Sequence, residues 1–445
     1  MSAGEHSEKL DWSGRRLHFI GIGGAGMSGL ALVCKELGAE VTGSDRAESS
    51  YVERLRSAGI DARVGHDAAN LPEAAEVIVS SAIPEDNPEL APARARGLTI
   101  RHRGELLADL CGERRLLAVA GTHGKTTTAA MAAWALRATG ADPAFFIGGE
   151  VEGLGPGGAA ANAGWGGGEW VVAEADESDA SFLLLRPEVA VVTNVEMDHH
   201  AHWGSIAELR AAFARFAESA RGLVVPAAAG LDPLVPGAEV VGFDEESPGP
   251  PELDLAVPGR HNLLNARAAL AAAGLAGADL EAGAASLAGF PGVRRRLELR
   301  GERSGARIYD DYGHHPTEVR AALAALRELG PERLIAVFQP HLYSRTKAFA
   351  EQLGAALALA DEVAVLDVYP AREEPVGELA GVSGLDVARA AADRMGGRRV
   401  CWLPDRGRAA SALAPALGPG RILVTIGAGD IHELAEALLK GGEGS

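Results

Sequence analysis

Twice in this chain an apolar run ends in a glycine turn and passes at once into an alanine-rich stretch of helical spacing. These are LHFIGIGGAGMSGLALVCKEL, from Leu17 to Leu37, and LLAVAGTHGKTTTAAMAAW, from Leu116 to Trp134. A buried strand that hands over to a helix within a few residues belongs to a βαβ unit, because the helix laid back across the sheet covers the strand's apolar face. The alternation continues. EVTGSD, VIVSSA (Val77 to Ala82) and LTIRH follow the first turn. WVVAEADESD, VAVVTNVEMDHH and a helical pattern from Ile206 to Ser219 follow the second. A third block begins after FPGVRRRLE, with strands expected near Arg307–Tyr309 and in RLIAVF, EVAVLDV and RILVTIGAGD. The pattern predicts an α/β protein of three domains, 1–108, 109–293 and 294–445, a division that suits 445 residues. No strict repeat relates the blocks. Two Gly/Pro-rich tracts, Glu150 to Trp170 and EESPGPPELD (Glu245 to Asp254), read as a long loop and a surface connection.

A formal net charge of −19 argues against a broad nucleic-acid footprint. A small anion can still be held by backbone N–H groups and a few cations. Lysine is scarce: Lys9, Lys35, Lys125, Lys347 and Lys440 are the five, so a lysine inside a glycine turn stands out. Cys34, Cys111 and Cys401 are widely spaced and form no metal or redox motif. They read as buried structural thiols in a reducing compartment. The opening residues MSAGEHSEKLDWSGRR are polar, and no apolar run is long enough to span a bilayer. A cytoplasmic protein with no membrane partner is expected.

In the first turn, Gly21, Gly23 and Gly26 satisfy G-x-G-x-x-G, and Asp45 ends the next expected strand. Such a turn brings backbone close to a diphosphate and aims a helix N-terminus at its charge. The pattern serves a nicotinamide dinucleotide or a UDP-sugar equally, and no hydride-transfer constellation accompanies it.

The second turn is a compressed phosphate loop. Gly124, Lys125 and Thr126 fit the end of G-x-x-x-x-G-K-[ST], but Val119 stands where the first glycine belongs and the nearest glycine is Gly121. Lys125 can bridge terminal phosphate oxygens, and the Thr126 hydroxyl can ligate Mg²⁺. Glu174 ends the buried run WVVAE and His199 ends VAVVTNVEMDH. A parallel sheet delivers such residues to its ligand crevice, and Mg²⁺ needs few protein ligands. Alone, Glu174 could be a solvated strand end and His199 a structural histidine; beside Lys125 they read as functional. A nucleotide-gated switch would use the same loop but leaves the first glycine turn without a ligand.

The segments GIGGAGMSGLA, AGTHGKTTT, EADESDASF, TNVEMDHH, HNLLNARAA, GVRRRLE, DDYGHHPTE, FQPHLYSRT and IGAGDI, in this order, span all three blocks. In them the chain resembles the Mur ligases, ATP-dependent amide-forming enzymes of peptidoglycan synthesis. The resemblance implies a Rossmann-like UDP-sugar domain, a central P-loop-type ATPase domain and a C-terminal Rossmann-like domain that binds an amino acid. It accounts for the compressed loop as this family's way of holding ATP. Within the family the segments look most like the branch that joins L-alanine to the lactyl carboxylate of UDP-N-acetylmuramate. A ligase adding another amino acid or a peptide is the neighbouring reading. The expected assembly is a monomer or weak homodimer, with no nucleic-acid partner.

Carried over residue by residue, the resemblance places Gly121, Thr122, His123, Gly124, Lys125, Thr126 and Thr127 on the ATP phosphates. Thr126, Glu174 and His199 would hold Mg²⁺, and His261, Asn262, Asn265, Arg296 and Asp311 would complete the ATP site. Gly23, Gly24, Ala25, Gly26, Asp45 and Ser81 would line the UDP-sugar site. Tyr312, His314, His341 and Arg345 would receive alanine and the acceptor carboxylate, with His314 as a candidate base. Two departures matter. Leu342 stands where some members carry arginine, which leaves the alanine carboxylate to Arg345. No lysine lies between Lys125 and Lys347, so the carbamylated lysine of other branches is absent.

Overall fold

The computed structural model describes residues 11–197, 203–227, 237–244 and 253–441. Two compact units divide the chain: residues to 254 with 264–290, and 255–263 with the residues from 291 onward.

The first unit contains two sheets. Strands β1 Arg16–Ile20, β2 Glu40–Asp45, β3 Asp61–Val64, β4 Glu76–Val79 and β5 Ile100–His102 form a parallel sheet in the order β3-β2-β1-β4-β5. Helices α1 Ala25–Glu36, α2 Ser50–Ser57, α3 Leu90–Ala95 and α4 Arg103–Gly112 accompany it. Strand order reverses between β1 and β4, and a crevice opens beyond the carboxyl ends of strands at such a reversal. The Gly21–Gly26 turn follows β1, and Ser81 follows β4. VIVSSA is a strand only as far as Val79; Ser80 and Ser81 lie at that crevice.

Strands β6 Arg115–Ala120, β7 Ala144–Val151, β8 Ala161–Gly164, β9 Trp170–Glu174, β10 Val189–Val192, β11 Gly222–Pro226 and β12 Glu239–Phe243 form the second sheet, in the order β12-β11-β10-β6-β9-β7-β8. Helices α5 Lys125–Ala138, α6 Ile206–Ala217, α7 Arg260–Leu275 and α8 Leu280–Leu287 belong to this stretch of chain. Residue 108 falls inside α4, which ends two residues before β6 begins. Strands β6, β9 and β10 are buried nearly throughout, as unbroken Val/Ala/Leu runs require of a sheet covered on both faces.

The tract expected to be a long loop is instead ordered. β7 runs to Val151 and turns through Gly153, Gly157 and Gly158, all at positive φ, and β8 returns antiparallel along it. Glycine supplied the turn rather than disorder. The other tract lies outside the described residues except for Leu253 and Asp254.

In the second unit, β13 Glu298–Arg303, β14 Ala306–Asp311, β15 Arg333–Phe338, β16 Glu362–Leu366, β17 Val400–Leu403 and β18 Arg421–Ile426 form a sheet in the order β13-β14-β18-β15-β16-β17. It is parallel apart from the β13–β14 pair. Helices α9 Pro316–Glu328, α10 Tyr343–Leu357, α11 Gly384–Arg394, α12 Arg406–Leu413 and α13 His432–Lys440 complete it. Among the described residues no helix is long and apolar enough to cross a membrane. Cys34 and Cys111 are buried, and burial pushes both thiols up, Cys34 to about 12. Cys401 departs from expectation in being half-buried, because it lies on the edge strand β17.

One polar cluster gathers around a buried carboxylate beside β1. Glu89, at 0% exposure, meets His18 Nε2 at 2.9 Å and accepts from Asn70 Nδ2 and the Asp67 N–H, each at 3.1 Å. Burial alone would raise this carboxyl, but hydrogen bonds from His18, Ser44 and Asn70 outweigh it and hold it near 2. A depressed carboxylate stabilises the fold above its unfolded value of about 4.5 and loses that contribution as pH falls toward 2. Glu89→Gln is therefore expected to cost about 3 kcal/mol at pH 7, and progressively less below pH 4.5. Urea unfolding of both proteins at several pH values checks this; a pH-independent difference would remove the charge from the account.

Candidate active site

The ends of β6, β9 and β10 converge where the second sheet's strand order reverses. Gly121 leaves β6 at φ +131°, and a Cβ there would lie 2.1 Å from Thr193 Oγ1. Gly124 caps α5 in the left-handed region at φ +78°, where a Cβ would meet Asn265 Oδ1 at 2.5 Å. These two positions explain the compressed loop. Its path is set by contact with Thr193 and Asn265 rather than by an extra glycine at 119. The strand-end residue Asn194 fixes the loop further: its Oδ1 accepts from the His123 N–H at 2.9 Å, and its Nδ2 donates to His123 O at 2.9 Å. Thr122 Oγ1 donates to Glu196 O at 3.0 Å.

Lys125 opens α5. Its Nζ donates to Gly121 O at 2.7 Å and Thr122 O at 3.2 Å, and lies 2.8 Å from Glu177 Oε2. Burial lowers the affinity of this amine for its proton, but Glu177, Asp176 and Glu174 together outweigh that and hold it above the ordinary lysine value. Lys125 faces three carboxylates, and although Arg103 Nη2 also meets Asp176 at 3.1 Å, negative charge remains in surplus. Glu177, 1% exposed, bears most of it: burial, against Lys125 and with Asp176, pushes it up to about 7.

Glu174 is fixed by two donors, Thr126 Oγ1 to its Oε1 at 3.0 Å and the Gly148 N–H to its Oε2 at 2.6 Å. A Cβ at 148 would come within 2.6 Å of that oxygen and push the carboxylate out of this position. Thr126 and Glu174 thus present two hard oxygens side by side, a donor set that suits Mg²⁺. Thr127 is buried in the first turn of α5. His199 lies outside the described residues.

At the first sheet, Gly24 precedes α1 and the Gly23 N–H donates to Asp45 Oδ2 at 2.8 Å. Asp45 therefore shapes the glycine turn itself. Ser81 Oγ donates to Asp179 Oδ2 at 2.7 Å, so it meets the acidic loop that follows β9. The two sheets share a cleft lined by Gly26 from the first glycine turn and by Gly148, Glu174 and Asp176 from the second sheet.

The second unit holds the remaining candidates. Burial, then the charge of Arg296, pulls His261 down to about 4, with Glu318 opposing. Asn262 Nδ2 donates to Pro258 O at 2.8 Å. Asp311 accepts from the N–H groups of Leu297 and Gly313 at 2.9 and 2.8 Å. Burial pushes it up to about 6 against Arg296 and those two donors. Tyr312, His314 and His341 stand in an aromatic row with centroids 5.8 and 5.9 Å apart, and His341 continues to Tyr369 at 5.8 Å, nearly parallel. Arg345 Nη1 lies 3.3 Å from His341 Nδ1. Arg296 covers the Tyr312 ring at 5.1 Å. Arg295, Leu297 and Leu342 all have positive φ, a conformation L-residues hold only where surroundings enforce it, often at functional sites.

Sequence reasoning missed Asp176, Glu177, Asp179, Thr193, Asn194 and Tyr369. The first five lie inside EADESD and TNVEMD, so their proximity to Glu174 and His199 was a usable signal. Tyr369 had none, because only the fold brings its loop beside His341.

Comparison with known proteins agrees with this architecture. Three family models match in order: "Mur ligase family, catalytic domain" at residues 16–115, "Mur ligase middle domain" at 119–228 and "Mur ligase, glutamate ligase domain" at 295–429. A UDP-N-acetylmuramate–L-alanine ligase of Kineococcus radiotolerans is 47% identical over 95% of each chain. Its counterpart in Mycolicibacterium vanbaalenii is 44% identical over 99% of this chain and 98% of its own. The crystal structure of the UDP-N-acetylmuramate–alanine ligase of Thermotoga maritima superimposes with a TM-score of 0.82 at 29% identity, covering 96% of this chain and 98% of that one.

Proposed function

Since this chain belongs to the Mur ligase family, we infer that it joins L-alanine to UDP-N-acetylmuramate in an ATP-dependent ligation of peptidoglycan synthesis. It acts in the cytoplasm, on nucleotide substrates. Residues 1–108 take the sugar nucleotide, 109–293 take ATP and 294–445 take the amino acid. The observation that carries the reading is the shared cleft. A nucleotide seated at Gly23–Gly26 would carry its carboxylate toward the cleft that Gly26 and Glu174 both line, and Thr126, at the end of the Lys125 loop, donates to that same Glu174.

A carboxylate is a poor electrophile, so the γ-phosphoryl group of ATP first passes to the lactyl carboxylate. The product is an acyl phosphate, and ADP leaves. That transfer calls for charge neutralisation more than covalent help from the protein. Lys125 supplies one charge once it turns from Glu177 to the phosphates. Thr126 and Glu174 would hold Mg²⁺, with His199, and bound there the ion supplies positive charge against phosphate oxygens. His261, Asn262, Asn265, Arg296 and Asp311 seat the nucleotide. Alanine's free amine then attacks the acyl carbon and phosphate departs. Arg345 holds the alanine carboxylate without help from Leu342, Tyr312 and His341 wall the seat, and His314 takes the amine's proton.

A phosphate-release assay tests this directly. Release is expected only when ATP, UDP-N-acetylmuramate and an amino acid are all present, with L-alanine giving the highest kcat/KM in a panel of amino acids. Steady release without the sugar nucleotide would indicate a nucleotide switch. Preference for another amino acid or a peptide would reassign the branch.

A further inference from the structure

Arg103 is singled out by no sequence motif. It is the first residue of α4 and lines the cleft that Gly26 and Glu174 share. Its Nη2 lies 3.1 Å from Asp176 Oδ2 and 3.8 Å from Asp179 Oδ2. At the other edge of the guanidinium, a Cβ on Gly26 would come within 3.1 Å of Nη1. Among the described residues, Nη1 and Nε make no hydrogen bond. The guanidinium has five N–H donors in a rigid planar fork and keeps its charge at any working pH. Two carboxylates therefore grip one corner of the fork and leave the rest beside the start of α1.

The grip is itself well anchored. Asp179 accepts from Ser81 Oγ at 2.7 Å and from the Ser181 N–H at 3.0 Å, and stands 3.5 Å from His102 Nε2. Lys125 is engaged with Glu177 and Arg54 with Glu150 and Asn162, whereas Arg103 puts Nη1 directly against Gly26 of the glycine turn. A helix N-terminus offers partial charges to an anion. A diphosphate gains much more from a fork that donates two charge-assisted hydrogen bonds.

We propose that Arg103 binds the diphosphate of the sugar nucleotide, and that Asp176 and Asp179 hold its fork toward the glycine turn. The proposal rests on reading Gly23–Gly26 as the sugar-nucleotide site. It makes Arg103 a substrate-binding residue and the two aspartates positioning residues.

The test uses the full chain and its Arg103→Gln and Arg103→Lys variants. Calorimetric titration measures UDP, UDP-N-acetylglucosamine and UDP-N-acetylmuramate, saturation-transfer NMR measures uridine, and thermal melting checks the fold. Arg103→Gln is expected to weaken all three diphosphates by about 10- to 100-fold, with uridine and ATP affinity unchanged and only a small fall in melting temperature from the lost pairing with Asp176 and Asp179. Arg103→Lys, which keeps the charge and loses the fork, should recover part of the loss. Undiminished UDP affinity in Arg103→Gln overturns the proposal, as does a uridine loss equal to the UDP loss, which would mark a structural role. A loss confined to UDP-N-acetylmuramate also overturns it, by moving Arg103 to the lactyl carboxylate that UDP-N-acetylglucosamine lacks. If the unaltered chain bound none of the three diphosphates, the site reading itself would fall, a result separable from failure at Arg103.

Discussion

Lys125→Ala is expected to lower ATP-driven phosphate release by about 10³-fold or more while UDP-N-acetylmuramate still binds. In the structure this amine lies 2.8 Å from Glu177 and also faces Asp176 and Glu174. Truncation thus removes the charge meant for the phosphates and leaves Glu177 and Glu174 without that cation, while Asp176 keeps Arg103. Glu177, already pushed up to about 7, has a ready escape: it takes up a proton, and the buried charge disappears. The fold is therefore expected to survive with some loss of stability. The double variant Lys125→Ala/Glu177→Gln separates the two consequences. It removes the lysine together with the buried acid it neutralises, so its melting temperature should recover toward that of the unaltered chain while phosphate release stays lost. Recovery of release in the double variant would mean that Lys125 serves only to neutralise Glu177.

The α/β architecture was legible because its central strands β6, β9, β10 and β15 are buried on both faces, and β1 and β6 pass straight into glycine turns. WVVAE, VAVV and RLIAVF admit no amphipathic reading. The Lys125 loop stood out against a lysine-poor background. Other features were hidden for identifiable reasons. Glycine counts cannot separate a loop from a tight hairpin, so the return of β8 along β7 was misread. Ser81 and Asp45 were expected to face a ligand, and in the structure they are also local braces, on Asp179 and Gly23. Short polar side chains commonly hold the turn that forms a site. Arg103 and Tyr369 acquire significance only from what the fold places beside them, namely Gly26 with two aspartates, and His341.

Glu174→Gln should produce the second large effect, a shift in metal dependence. The carboxylate accepts from Thr126 Oγ1 and from the Gly148 N–H. The Gly148 N–H can only donate, so the glutamine must turn its carbonyl oxygen to Gly148 and its NH₂ to Thr126. The threonine hydroxyl then accepts instead of donating. Both hydrogen bonds survive, and Lys125 keeps Glu177 at 2.8 Å. What is lost is one negative charge and the oxygen that would face Mg²⁺, now replaced by an amide nitrogen that cannot ligate. Since removing even a partner of a metal ligand costs about 10- to 100-fold in metal affinity, the Mg²⁺ concentration for half-maximal phosphate release should rise by at least that factor. The affinity for Mn²⁺ in the presence of a non-hydrolysable ATP analogue, followed by its paramagnetic resonance signal, should fall in parallel and does not depend on turnover. Melting temperature should barely change, because the hydrogen bonds are kept. If the variant lost activity with Mn²⁺ affinity intact, Glu174 would be a brace for the Thr126 turn rather than a ligand, and the metal would have to be held by residues other than this pair.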